Sequence, residues 1–309
     1  MALPIKISLP EHFLEDEVRC GYEVTGKLKK IWAVQLDLVS ELKRVCDKYG
    51  LKFMLAYGTL IGAVRHKGFI PWDDDFDVWI RRADFEKLLA ISDREFSYPY
   101  FLQHAMSDRK FFFPYARLRN SETTGIISKQ GTPEYNNGIY VDVYVVDGYT
   151  DSNFLYGLQT IIRDFTLKLI TLAFEGHKCR SLFERFCICF AKAIATVLSF
   201  ERRYRLYRWT LSLFNKSASR VGPRYRIHPK AKSWWIESEV FNDLIDLPYE
   251  NLQLPCPRNA DAHLARMYGE YMKFPPASER GKWHEGQIHY DPDTPYKEYL
   301  KNASGVKRV

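Results

Sequence analysis

Residues 57–80 read YGTLIGAVRHKGFIPWDDDFDVWI and constrain the fold more than any other stretch. Four carboxylates, Asp73, Asp74, Asp75 and Asp77, stand among Ile70, Trp72, Phe76, Val78, Trp79 and Ile80. Like charges held close repel and resist ionising, and burying them unpaired is costly. Such a stretch must either leave its acids in water, as a solvated acidic turn, or give them a counter-ion. FDVWI reads as a strand, where alternate residues share a face, so Asp75 and Asp77 point the same way. Asp73 shares their parity but precedes the strand, and Asp74 falls on the opposite face. Oxygen-only ligands favour magnesium or manganese. A calcium loop of the EF-hand type is excluded, because counting from Asp73 the sixth and twelfth positions are Val78 and Asp84 instead of Gly and Glu.

The residues upstream supply a second half. KFMLAYG reads as a short buried strand and TLIGAVRH as a short helix that begins just after Gly58. A glycine at a strand end lets a ligand approach the backbone, and the helix that follows offers free N–H groups to an anion. Thr59 either bonds a phosphate oxygen or caps the helix. A later strand, GIYVDVYVVDG, places Asp142 among β-branched and aromatic residues, where a third acid completes a metal clamp. Asp147, before Gly148, reads as a turn residue.

The rest of the chain alternates in a way that predicts an α+β fold. Residues 26–49 have helical spacing and end at Gly50. RADFEKLLAIS reads as an amphipathic helix, and YPYFLQHA, FFFPYARLRN and TGIISK supply β-rich material. From about residue 153 the character becomes helical, through FLYGLQTIIRDFTLKLITLAFEG and the run 181–214. VGPRYRIHPK reads as a loop, WWIESEVF as a short strand, and ADAHLARMYGEYM as a final helix. The expected organisation is a catalytic core over 1–152, a helical basic insertion over 153–232, and a segment over 233–309 that returns to the core.

Charge separates along the same lines. Residues 178–232 hold fourteen Lys/Arg against two acids in a chain of net charge +7, which leaves the remainder acidic. That basic stretch reads either as a helix packed in a helical subdomain with a solvated basic face, or as a peripheral contact with an anionic membrane or with the acceptor. A basic module that binds nucleic acid is the rival reading, and its binding would survive loss of Asp75 and Asp77 and fall with salt. The six cysteines show no CxxC pair and no zinc spacing. The first residues lack an apolar core of the signal-peptide kind, and no uncharged apolar run reaches the length of a membrane span. These features predict a cytoplasmic enzyme, peripheral at the inner face of the membrane, with no nucleic-acid partner.

Gly58-Thr59, Asp75-x-Asp77 and Asp142 together resemble the nucleotidyltransferase superfold of DNA polymerase β-like enzymes. More narrowly, the stretch 57–80 resembles the signature of the LicD family, which includes bacterial phosphocholine transferases, fukutin and fukutin-related protein. ARLRNSETTG is similar to the family's middle segment and RMYGEYMKFPPASERGKWHE to its C-terminal one. YVDVYVVDG resembles its D-I-F-P-L-D segment, with Tyr144 and Val145 where Phe and Pro are usual. The matches run from residue 56 to 284. They imply a mixed-sheet nucleotidyltransferase core with a helical insertion.

The resemblance further implies transfer of a phospho-alcohol, phosphocholine first, from a CDP-linked donor such as CDP-choline to a glycan hydroxyl or its lipid-linked precursor. It implies a metal held by Asp75, Asp77, Asp142 and Asp73. It also implies a donor bound by Gly58, Thr59, Arg65, Arg117, Arg280 and His284. Arg65 and Arg117 have structural ion pairs as their alternative role. A quaternary ammonium donor calls for an aromatic box, with Tyr115, Tyr140 and Trp72 nearest the motifs. Transfer of NMP from an NTP, or a D-x-D glycosyltransferase, are the competing chemistries.

Overall fold

The computed structural model describes residues 3–127, 135–171, 189, 192–194, 196–224, 234–281 and 287–306. The fold is α+β. The chain divides into two compact units. One comprises residues 1–111, 115–145 and 239–309, and the other 112–114 and 146–238.

The first unit is built on a sheet whose strands run in the order β3 (Phe53–Leu55), β4 (Asp77–Arg81), β8 (Ile139–Gly148), β6 (Ala116–Asn120), β5 (Tyr100–Gln103). β3 and β4 are antiparallel, with Met54 opposite Trp79. β6 and β8 are antiparallel, with Arg117 opposite Asp142. β8 carries Ile, Tyr and Val on both faces and is buried almost throughout, as a central strand requires. A short hairpin, β1 (Glu17–Arg19) and β2 (Tyr22–Val24), precedes α1 (Gly26–Tyr49). Thr25 caps α1 by accepting the Leu28 N–H, and Gly50 ends it with φ 62°. α1 packs its Ile31, Trp32, Leu38 and Leu42 side into the core.

Two further pairings join distant parts of this unit. β7 (Thr124–Ile127) pairs antiparallel with β13 (Ile288–Asp291), and β11 (Leu244–Tyr249) with β12 (Leu252–Pro257). α3 (Arg82–Glu95), α6 (Ala260–Tyr268) and α7 (Tyr296–Val306) complete it. The segment ADAHLARMYGEYM is helical only to Tyr268, because Gly269 takes φ 67° and returns its N–H to the Ala265 carbonyl.

In the second unit the end of β8 pairs with β9 (Arg220–Gly222), which pairs with the two-residue β10 (Ile236–Glu237). WWIESEVF is therefore a strand only at Ile236–Glu237, and a 3₁₀ turn follows at Ser238–Asn242. α4 (Asn153–Thr171) packs against α5 (Phe200–Leu211). The run 181–214 is not one helix. Ser199 accepts the Arg202 N–H and starts α5 afresh, while residues 181–188 lie outside the described residues.

Candidate active site

The site is assembled where α2 (Tyr57–His66), the loop 71–76, β4 and β8 meet. α2 starts two residues earlier than the sequence suggests, because the Leu60 N–H bonds the Ala56 carbonyl at 3.1 Å and closes the first turn there. Ala56, the N-cap residue, gives no side-chain cap to the first turn of α2. Tyr57 holds φ 48°, a left-handed value that a side chain rarely adopts, directly before Gly58.

Asp75 lies before β4, which begins at Asp77, so a pinned loop and not strand alternation positions Asp75. Three side chains hold that loop by its backbone. Trp32 Nε1 donates to the Asp73 carbonyl at 2.9 Å, and Gln35 Nε2 to the Asp74 carbonyl at 2.8 Å. The Tyr290 hydroxyl donates to the same Asp74 carbonyl at 3.3 Å. Gly58 faces Asp73, since a Cβ there would stand 2.9 Å from Asp73 Oδ2. Thr59 is buried, and its hydroxyl accepts the Asp77 N–H at 2.9 Å, so it fixes the start of β4 to the start of α2. The Ala56 N–H donates to the Asp77 carbonyl at 3.0 Å and tightens the same junction.

Asp142 is brought alongside by main chain: its N–H donates to the Phe76 carbonyl at 2.9 Å, between Asp75 and Asp77. Its carboxylate is nearly buried. Arg117 Nε donates to Oδ1 at 2.7 Å and the Tyr144 hydroxyl to Oδ2 at 3.2 Å. Burial opposes the charge on Arg117, but Asp142, Tyr140 and Tyr115 outweigh it and hold the guanidinium well above its ordinary pKa. Burial, then Tyr140, Asp74, Asp75 and Asp142, raises the Tyr290 phenol well above its usual range. Arg117 is thus committed to Asp142.

Arg65 and Arg280 meet instead. Both guanidiniums lie over Trp72 and Phe274, with Arg280 4.8 Å from the Trp72 ring and Arg65 5.1 Å from that of Phe274. Arg65 donates to the Tyr271 carbonyl and to His66, and Arg280 to the Pro275 and Cys20 carbonyls. Among the described residues neither meets a carboxylate. Burial lowers the Arg65 pKa, and the charge of Arg280 adds to that. Burial, with Arg65 and Arg19 nearby, pushes His66 down to about 4. His284 lies outside the described residues. Of the aromatic candidates, Tyr140 is covered by Arg117 and Arg119 at 4.1 and 4.6 Å, and Trp72 by Arg280. Tyr115 stands against Tyr144 at 4.8 Å, and Tyr57 reaches Tyr144 at 5.7 Å.

The donor set fits a hard divalent cation in part. It is oxygen-only and comes from one loop and two neighbouring strands, with Asp73 Oδ2 facing the Gly58 backbone. Among the described residues no group of three acidic, His or Cys side chains is placed to hold a metal ion. That suits an ion held by one or two carboxylates and completed by water and substrate phosphate. Trp32, Gln35, Tyr144 and Tyr290 are site residues that sequence reasoning missed. A buried glutamine three residues after Trp32 on an apolar helix face was the one available signal.

An α+β sheet with an acid pair at one strand start, a third acid on the neighbouring strand and a helix N-terminus against them defines a nucleotidyltransferase-type domain. Residues 50–181 match the model of the LicD/FKTN/FKRP nucleotidyltransferase domain. The chain is 24% identical over 265 residues to the lipopolysaccharide cholinephosphotransferase LicD of Haemophilus influenzae, covering 83% of this chain and 96% of that protein. An uncharacterized protein of Rickettsia prowazekii is 39% identical over 71 residues, 23% of this chain and 26% of its own.

Proposed function

We propose that this protein transfers a phospho-alcohol unit, phosphocholine first, from a CDP-linked donor to a hydroxyl of a cell-surface glycan or its lipid-linked precursor. The observation that carries this reading is Asp142 bonded through its main chain to Phe76, between Asp75 and Asp77, beside the uncapped start of α2. The likeness to the Haemophilus cholinephosphotransferase along most of both chains supports the substrate class.

The acceptor oxygen bonds to the phosphorus that carries the alcohol, the bond from that phosphorus to the bridging oxygen of CMP breaks, and CMP departs. Asp75 and Asp77, with Asp73 and Asp142, would hold magnesium or manganese, which would supply charge neutralisation at the pyrophosphate. Gly58 gives a phosphate room at the backbone, and the first N–H groups of α2 bind it. Thr59 accepts from Asp77, which leaves its hydroxyl proton for a phosphate oxygen. Arg65 and Arg280 offer adjacent guanidiniums to the donor, with His284 in the same segment. Asp142 either joins the metal or takes the acceptor proton, held in aim by Arg117 and Tyr144. The enzyme works on the cytoplasmic side.

The test is a screen of CDP-choline, CDP-ethanolamine, CDP-glycerol and CDP-ribitol for magnesium-dependent CMP release with a glycan acceptor. Asp75→Asn is expected to abolish release without lowering the melting temperature. An active Asp75→Asn enzyme would remove the metal assignment. Turnover of a nucleoside triphosphate alone would replace phospho-alcohol transfer with NMP transfer, and turnover of a UDP-sugar alone with glycosyl transfer.

A further inference from the structure

Helix α4 is amphipathic the wrong way round for a helix in water. Its buried side is mostly polar. Gln159 Nε2 donates to the Thr210 carbonyl at 2.8 Å, Arg163 to the Arg224 carbonyl at 3.0 Å, and Thr166 meets Thr210 across the contact with α5. Only the last turn buries aliphatic residues, Leu169 and Ile170. The outward side is apolar: Phe154 is 78% exposed, Leu158 45%, Ile161 69% and Phe165 41%. The spacing i, i+4, i+7, i+11 makes one stripe, about 16 Å long at the helical rise. Of the sixteen exposed large apolar residues described, nine belong to this second unit.

A helix with a satisfied polar inside and an apolar outside is at equilibrium with an apolar surrounding, not with water. α5 carries the features of a bilayer interface on its own outward face. Arg202, Arg205, Leu206 and Trp209 are exposed at helical spacing. Arginine serves anionic headgroups there, and tryptophan sits at the boundary between headgroup and acyl chain. No described helix is long and apolar enough to cross a membrane. The stripe precedes the basic stretch 178–232, and most of 178–198 lies outside the described residues.

We infer that the outward faces of α4 and α5 dock this protein on an anionic bilayer, with the α4 stripe in the acyl boundary and Arg202 and Arg205 at the headgroups. The inference does not depend on the chemistry proposed above. It is tested by flotation of the full chain with vesicles of phosphatidylethanolamine and phosphatidylglycerol, beside vesicles of phosphatidylcholine. The chain is expected to float with the anionic vesicles and to lose that binding roughly tenfold for each of Phe154→Glu and Ile161→Glu, since each removes a large buried side chain from lipid. Arg202→Glu with Arg205→Glu is expected to weaken binding to the anionic vesicles alone, and added salt to do the same. Both apolar positions are so exposed that the variants keep the melting temperature of the parent. Absence of vesicle binding, or binding that Phe154→Glu and Ile161→Glu leave unchanged, overturns the inference. So does a parent that is dimeric and lipid-free and becomes monomeric in these variants, because a second copy is then the occupant. Lowered melting temperatures without lipid binding also overturn it, because the chain itself then covers the stripe.

Discussion

Replacing Arg117 by methionine tests the frame around Asp142. The guanidinium and the carboxylate are 2.7 Å apart, with side chains 6% and 8% exposed. Methionine keeps most of the packing volume against Tyr140 but leaves Asp142 as a buried charge. At an effective dielectric near 20, two unit charges 4 Å apart attract by about 4 kcal/mol, and breaking a buried pair from one side costs about 3–5 kcal/mol. Arg117→Met is therefore expected to lower the unfolding free energy by about 3–5 kcal/mol, read from urea transitions at neutral pH. Arg117→Met with Asp142→Leu removes both charges and is expected to recover most of that loss. A single variant that costs under about 1 kcal/mol, or a double variant less stable than the single, would refute the view that Arg117 is there to hold Asp142 in a dry site.

Other outcomes follow from neighbouring contacts. Thr59→Val keeps shape but leaves the Asp77 N–H without its acceptor, at about 1–3 kcal/mol, visible in urea transitions and in faster exchange of that amide. Gly58→Ala pushes a methyl against Asp73 Oδ2, the mobile end of a side chain, so stability is expected to change by under about 1 kcal/mol. CMP release is expected to fall by about a hundredfold in the same variant, and full activity would disprove the role of Gly58. Burial, then Arg266, holds His263 down to about 3. The unfolded chain, with histidine near pH 6.5, then binds the extra proton first, so stability is full above about 6.5 and is lost as pH falls toward about 3. His263→Phe, which keeps a ring against Trp79, is expected to remove up to a few kcal/mol of that slope in urea titrations.

The parts of the site that were legible in the sequence share one property: their signal is local. Gly58, Thr59, Asp75 and Asp77 fall within twenty residues, and the alternation around Asp142 marks a buried strand by itself. The helix 26–49 was legible because Gly50 ends it with a conformation few other residues adopt. Contacts of long range were not. Nothing near Tyr290 says that β13 will pair with β7, and nothing in Trp32 distinguishes a core tryptophan from one that donates to the Asp73 carbonyl. Arg117 shows a second limit. An arginine on a strand serves a phosphate or a carboxylate equally well, and only the register opposite Asp142 decides. The inverted α4 was hidden for a third reason: periodicity finds the apolar stripe but does not say which side of the helix faces inward.

The loop that carries the acids is shaped by Trp32 and Gln35 from before residue 50 and by Tyr290 from near the end of the chain. Residues 50–181, the span that the family model matches, contain none of the three. A gene fragment cut to those bounds would keep every carboxylate and lose what aims them, and it would leave β7 with an open edge where β13 belongs. Deletions from either terminus are thus a way to silence the enzyme without touching an acid, and chimaeras between relatives should exchange residues 26–49 and 288–306 together with the core.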